Sequence, residues 1–225
     1  MQSKKQIKPF LALPFTKGTD FEISEGAYYS KAETKIHGRR VHRAIDFAAT
    51  KGTKVYAAAS GYAASSCNFA FLSKKYKGKK VGYAMGNFVQ IWHPEEKVFT
   101  IYGHLDSISS SLPFFKGKKQ NAIIISKFYN QPLTEFLKSA KYIKCGAYLG
   151  TVGNSGLSLG NKNNSWDEPH LHFAVFTRKR TGKYKDWFDP YGINGKAENY
   201  TKNKTKPIGL WLDNGKKEIV FAKKS

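Results

Sequence analysis

The chain of 225 residues carries a formal charge of +22, with 40% hydrophobic and 15% aromatic side chains. That apolar content supplies a core and excludes a wholly disordered basic tail, which lacks the aromatics needed to offset ordering entropy. No stretch approaches the roughly 20 apolar residues that a helical membrane span requires.

Residues Met1 to Phe10 carry charge but no apolar h-region, so they do not read as a signal peptide. Either the protein stays inside the cell or its export signal has been removed. Beyond them, short alternating or apolar runs recur between Gly, Asn and Lys clusters: Lys54 to Ala58, Gly61 to Ser65, Asn87 to His93, Val98 to His104, Ala147 to Val152 and His170 to Thr177. Close spacing with Gly-containing turns predicts a mainly β protein with an antiparallel sheet or sandwich, and argues against βαβ units. One helix interrupts the pattern. After Pro132, residues Leu133, Phe136, Leu137 and Ala140 fall at i, i+3, i+4 and i+7, one apolar stripe with proline early in the first turn. This helix belongs to an insertion between about Ser107 and Lys144. The residues from Lys196 to Ser225 are Lys-rich but contain Ile208 to Leu212 and Ile219 to Phe221. They are expected to pack back on the same domain, as a hairpin around Asn214-Gly215.

The charge points first to a polyanionic partner, for which nucleic acid is the usual candidate. Membrane surfaces and bacterial cell wall fit equally well. The cations cluster at Lys74, Lys75, Lys77, Lys79 and Lys80, at Lys116, Lys118 and Lys119, and at Arg178, Lys179, Arg180, Lys183 and Lys185. These read as solvated loops, since none sits on a helix-turn-helix, zinc-finger or RNP-like pattern. Cys67 and Cys145 are too far apart for a CxxC motif. A disulfide and two separate thiols both remain open, with the balance toward thiols.

The six histidines are His37, His42, His93, His104, His170 and His172. On a strand, alternation puts His170, His172, Ala174 and Phe176 on one face and Leu171, Phe173 and Val175 on the other. Two imidazoles then stand side by side, suited to one metal ligand beside a proton-transfer group, or to two ligands. His42 and Asp46 are four apart, about 13 Å in an extended strand, so sharing an ion requires a bend between them, which the small Ala44 permits. His104 closes an alternating run as Tyr102-Gly103-His104-Leu105-Asp106. His93, followed by Pro94, reads as structural, and His37 as a loop residue.

HxxxD, YGHL and HLHF in that order resemble the M23 family of zinc metallopeptidases, the LytM/lysostaphin-type cell-wall endopeptidases. The flanking text is similar too: His42-Arg43-Ala44-Ile45-Asp46-Phe47-Ala48-Ala49, Gly86-Asn87-Phe88-Val89-Gln90-Ile91-Trp92-His93 and Gly150-Thr151-Val152-Gly153-Asn154-Ser155-Gly156. The likeness spans roughly residues 41–176, within a domain expected to cover 1–195. It implies a LytM-type β core. It also implies one Zn²⁺ per chain held by His42, Asp46 and His172, with His104 and His170 as the catalytic histidines. Two imidazoles and a carboxylate leave a fourth position for water, the signature of a catalytic zinc. The implied substrate is the stem or cross-bridge peptide of peptidoglycan. An anionic wall polymer then replaces nucleic acid as the partner of the surplus charge, and an exported monomer is expected. This sequence departs from the family pattern at Ala44, where glycine is usual, at Asn161 to Glu168, an added segment, and at Ala174, where glutamate is usual.

Overall fold

The structure, a computed structural model, describes residues 7–27, 42–70, 85–115, 118–120, 123–125, 131–156, 165–179 and 184–223. Among them the strands are β1 (Glu22–Glu25), β2 (Ile45–Ala48), β3 (Lys54–Tyr56), β4 (Gly61–Ala70), β5 (Gly86–His93), β6 (Val98–Ile108), β7 (Phe114–Phe115), β8 (Lys118–Gln120), β9 (Ile123–Ile125), β10 (Lys141–Ile143), β11 (Tyr148–Ser155), β12 (Ser165–Arg178) and β13 (Tyr184–Phe188). Two short helices, α1 (Leu133–Leu137) and α2 (Ala197–Thr201), complete the elements. The strands join one sheet in the order β1-β2-β12-β11-β6-β5-β4-β9-β8, with β3, β7, β10 and β13 pairing off this path. Pairing is antiparallel except between β4 and β7, so the mainly β, antiparallel class read from turn spacing holds.

Alternation on β12 sorts two apolar clusters onto the two faces of the sheet. Leu171, Phe173 and Val175 are fully buried in the larger cluster, with Ile45, Phe47, Val89, Ile91 and Tyr102. Ala174 and Phe176 belong to a smaller cluster with Ala44, Phe88, Phe99, Ile101 and the helical Phe136. His172 therefore shares its face with the smaller cluster.

The apolar stripe predicted over residues 133–140 is present, but the helix spans only Leu133–Leu137. Phe136 fills the hole over Phe99, edge-on with centroids 5.3 Å apart. Within the segment expected as an insertion, β6 runs on to Ile108, and β10 returns to pair with β4. The C-terminal residues lie against the N-terminal ones through bridges Leu11–Trp211 and Leu13–Phe221. Asp213 pairs with Ile219 around a turn in which Gly215 takes φ 84°.

Candidate metal centre

Three neighbouring strands bring the polar residues to one place. On β12, His172 pairs with Asp46 of β2 on one side and with Gly103 of β6 on the other. His42 precedes β2 and is separated from it by a bend at Ala44. That bend shortens the four-residue reach, so His42 Nε2 comes within 3.3 Å of Asp46 Oδ2. Ala44 is fully buried and holds no positive φ, so alanine fits where a glycine is usual.

His172 Nδ1 lies 2.9 Å from Asp46 Oδ1 and 3.4 Å from His42 Nε2. One nitrogen of each imidazole and the carboxylate thus converge, all potential ligand atoms lying within 4.8 Å of one another. An ion bound tetrahedrally by N and O at about 2.0–2.1 Å separates its ligand atoms by roughly 3.3 Å. The His42–Asp46 and His42–His172 separations match that edge, and the donor set is one that zinc favours. The other nitrogen of His42, Nδ1, donates to the Gly26 carbonyl at 2.8 Å. A carbonyl only accepts, so this bond fixes the tautomer and turns the Nε2 lone pair toward the cluster.

Charge follows geometry. Burial alone would raise Asp46, yet His42, His170 and His172 around it hold its carboxyl well below the ordinary carboxylate range. Burial works against protonation of His42, but the charge and hydrogen bond of Asp46, with help from Glu25, push it up to about 9. His172 is lowered, by burial first, despite Asp46. A buried carboxylate among imidazoles is a site that concentrates positive charge.

His170 and His104 stand beside the cluster. His170 Nε2 is 3.9 Å from Asp46 Oδ2, and its Nδ1 donates to the Glu168 carbonyl at 2.9 Å. His104 Nδ1 donates to the Ser155 carbonyl at 2.7 Å, and its ring centroid lies 4.7 Å from that of His170 and 5.5 Å from that of His172. Burial, reinforced by His170 and His172, holds His104 well below the ordinary imidazole value. Each of these two histidines, when neutral, carries its lone pair on Nε2. His104 becomes a hydrogen-bond donor there only after taking a proton.

His93 lies apart, fully buried, donating Nδ1–H to Ser60 at 2.8 Å, with Nε2 against Thr100 Oγ1 at 2.9 Å. His37, the cluster from Lys74 to Lys80, Lys116, Arg180, Lys183 and positions 161–164 lie outside the described residues. Cys67 and Cys145 are free thiols, one buried and one exposed. The other cation clusters are not all loops. Lys118 and Lys119 are in β8, and the Arg178 guanidinium sits 4.3 Å over the Phe99 ring.

Three contributors escape a motif search: Gly26, Glu168 and Ser155. Each acts through a backbone carbonyl, which any residue type carries. The glycine-rich text around Ser155 was the one signal for that turn. At Gly86 φ is 61°, and an added Cβ would lie 2.3 Å from Ser155, so the two turns interlock.

Residues 40–120 match the sequence model of "Peptidase family M23". The DD-carboxypeptidase/endopeptidase Mpg of Neisseria meningitidis serogroup B is 30% identical over 140 residues, covering 62% of this chain and 21% of that protein. The chain thus spans about a fifth of that relative's length. Among solved structures, a putative glycyl-glycine endopeptidase LytM from Ruminococcus gnavus is 19% identical, with TM-score 0.44 over 88% of this chain and 61% of that one. Lysostaphin from Staphylococcus simulans is 18% identical, with TM-score 0.43 over 83% and 55%.

Proposed function

Because residues 40–120 match peptidase family M23 and the flanking chain resembles it, we propose that the protein is a zinc-dependent endopeptidase that hydrolyses peptide bonds in the stem or cross-bridge of peptidoglycan. The observation that carries the reading is the convergence of His42, Asp46 and His172 beside two histidines, His104 and His170, whose Nδ1 atoms are held by backbone carbonyls. In this reading His42 Nε2, an Asp46 oxygen and His172 Nδ1 hold one Zn²⁺. When bound, the ion supplies Lewis acidity toward a water and toward the scissile carbonyl.

The protein's own groups do the rest. The Nε2 lone pair of His170 would take a proton from the attacking water as the C–O bond forms and return it to the departing amine nitrogen as the C–N bond breaks. Burial keeps the His104 imidazole neutral beforehand, so it would donate from Nε2 to the oxygen on which charge develops only with a proton gained as that charge forms. Both imidazoles are held by carbonyl acceptors, so neither must reorient during reaction. The relative Mpg, a DD-carboxypeptidase/endopeptidase, supports a peptide-bond substrate. Peptidoglycan as substrate places the enzyme outside the cytoplasmic membrane, against an anionic wall that suits a net charge of +22.

Purified sacculi of defined chemotype, digested with the zinc-loaded protein, should release fragments that mass spectrometry assigns to one peptide bond. Chelation should abolish release and added zinc should restore it. Stoichiometric zinc without cleavage of any cross-linked peptidoglycan would overturn the assignment.

A further inference from the structure

Tyr200, in α2, touches the metal cluster at one remove. Its side chain is fully buried, edge-on to Tyr191 with centroids 5.6 Å apart. The hydroxyl donates to Asp189 Oδ2 at 2.8 Å and accepts the amides of Ala27 at 3.2 Å and Gly195 at 3.3 Å. Asp189 is itself pinned, accepting the amides of Tyr191, Ile193 and Asn194 at 2.9, 2.7 and 2.7 Å.

The Ala27 amide and the Gly26 carbonyl belong to one planar trans peptide unit, so they point in opposite directions and turn together. The amide end meets Tyr200, and the carbonyl end receives Nδ1–H of His42 at 2.8 Å. Gly26 also lets that unit lie flush on the C-terminal segment, because an added Cβ would stand 2.2 Å from the Gly195 oxygen and 2.4 Å from the Tyr200 ring.

We propose that Tyr200 is a positioning residue for the metal centre. It fixes the Gly26–Ala27 peptide so that His42 keeps its Nδ1–H bonded and its Nε2 aimed at Asp46 and His172. The proposal rests on His42 being a zinc ligand. It gives residues after 195 a part in metal binding, beyond covering the core.

The test is zinc affinity, by competition with a chromophoric chelator, in Tyr200→Phe, which keeps the ring and removes the hydroxyl. Loss of a group that orients a ligand weakens metal binding by about 10–100-fold, and the low end of that range is expected here. The visible spectrum of the cobalt-substituted variant should also shift. A control, Ile219→Val, loosens the same C-terminal segment and should bind zinc as the parent does. Parent-like zinc affinity in a folded Tyr200→Phe would overturn the proposal. His42→Ala, measured alongside, tests the premise separately: if it binds zinc as tightly as the parent, the ligand assignment fails instead. Should Tyr200→Phe not fold, hydrogen exchange in the parent decides. Coupling is reciprocal, so zinc loading should slow exchange of the Ile193 and Asn194 amides several-fold, and unchanged exchange would overturn the link.

Discussion

His104 holds φ at 61°, a left-handed backbone that costs a side-chain-bearing residue about 1–3 kcal/mol. Its surroundings compensate. The His104 amide donates to the Met85 carbonyl at 2.8 Å, and Ser155 Oγ donates to Leu105 at 2.7 Å while accepting the Asn87 amide at 2.9 Å. Ser155→Ala takes that acceptor from Asn87, so a loss of about 1–3 kcal/mol is expected, seen as a lower urea midpoint. Turnover should fall with it while zinc content stays at the parent level, because the hydroxyl braces His104 and none of the three converging groups. Metal analysis showing zinc loss in this variant would contradict that division. His170→Ala and His172→Ala should separate in the same way. Removing the proposed base should lower turnover by about 10²–10⁴-fold with zinc retained, and removing the proposed ligand should lose zinc and activity together. Near-normal turnover in His170→Ala would defeat the role given to it. The histidines and Asp46 were legible in the sequence because their chemistry resides in side chains at fixed spacing. Gly26 and Tyr200 were not, because they act by contacts distant in sequence that no residue-type pattern encodes.

At the scale of elements, β12 carries His170 and His172 midway along its length and Arg178 at its end. Arg178 Nη2 donates to Gln90 Oε1 at 2.5 Å, and Nη1 to the Gln131 carbonyl at 3.2 Å. That second bond ties the start of α1 to the sheet. A five-residue helix with no side-chain N-cap bond has no stability of its own, so α1 depends on this bond and on Phe136. Phe136→Ala should therefore destabilise the protein by about 3–5 kcal/mol, read as a lower unfolding midpoint. Its zinc affinity should stay near the parent value, since the cavity opens beside Phe99, which stacks on Phe176, four residues along β12 from His172. A fall in zinc affinity matching the loss of stability would show that the helix and the metal centre are one unit. The core strands were legible because alternation and glycine turns are local. The 3.6-residue period gave α1 its face but not its end, which falls at Leu137. The pairing of β10 with β4 and the bridges from Leu11 and Leu13 to the C-terminal segment depend on contacts distant in sequence, so no local period announced them.

For the molecule as a whole, two kinds of charge respond to solution conditions in different ways. Burial pushes His93 down to about 4, opposed in part by its bond to Ser60. In the unfolded chain the same imidazole takes up its proton near pH 6.5. Its contribution is therefore intact above about pH 6.5 and is lost as pH falls from there toward 4, by about 3 kcal/mol in all. His93→Gln, which does not titrate, should flatten the acid limb of stability against pH by that amount. An unchanged slope would mean that the buried imidazole is not what senses acid. The surface cations respond to salt instead. Peptidoglycan and its attached polymers are anionic, and attraction between exposed charges acts over about 10 Å at 0.1 M salt and about 3 Å at 1 M. Cleavage of intact walls should therefore slow as salt rises over that range, while cleavage of a short uncharged peptide containing the same bond stays level. If both substrates respond alike, the net charge of +22 has no part in holding the enzyme to its substrate. A salt effect confined to the wall assigns the charge to encounter and retention, and leaves bond cleavage to the histidines and Asp46 of the proposed metal centre.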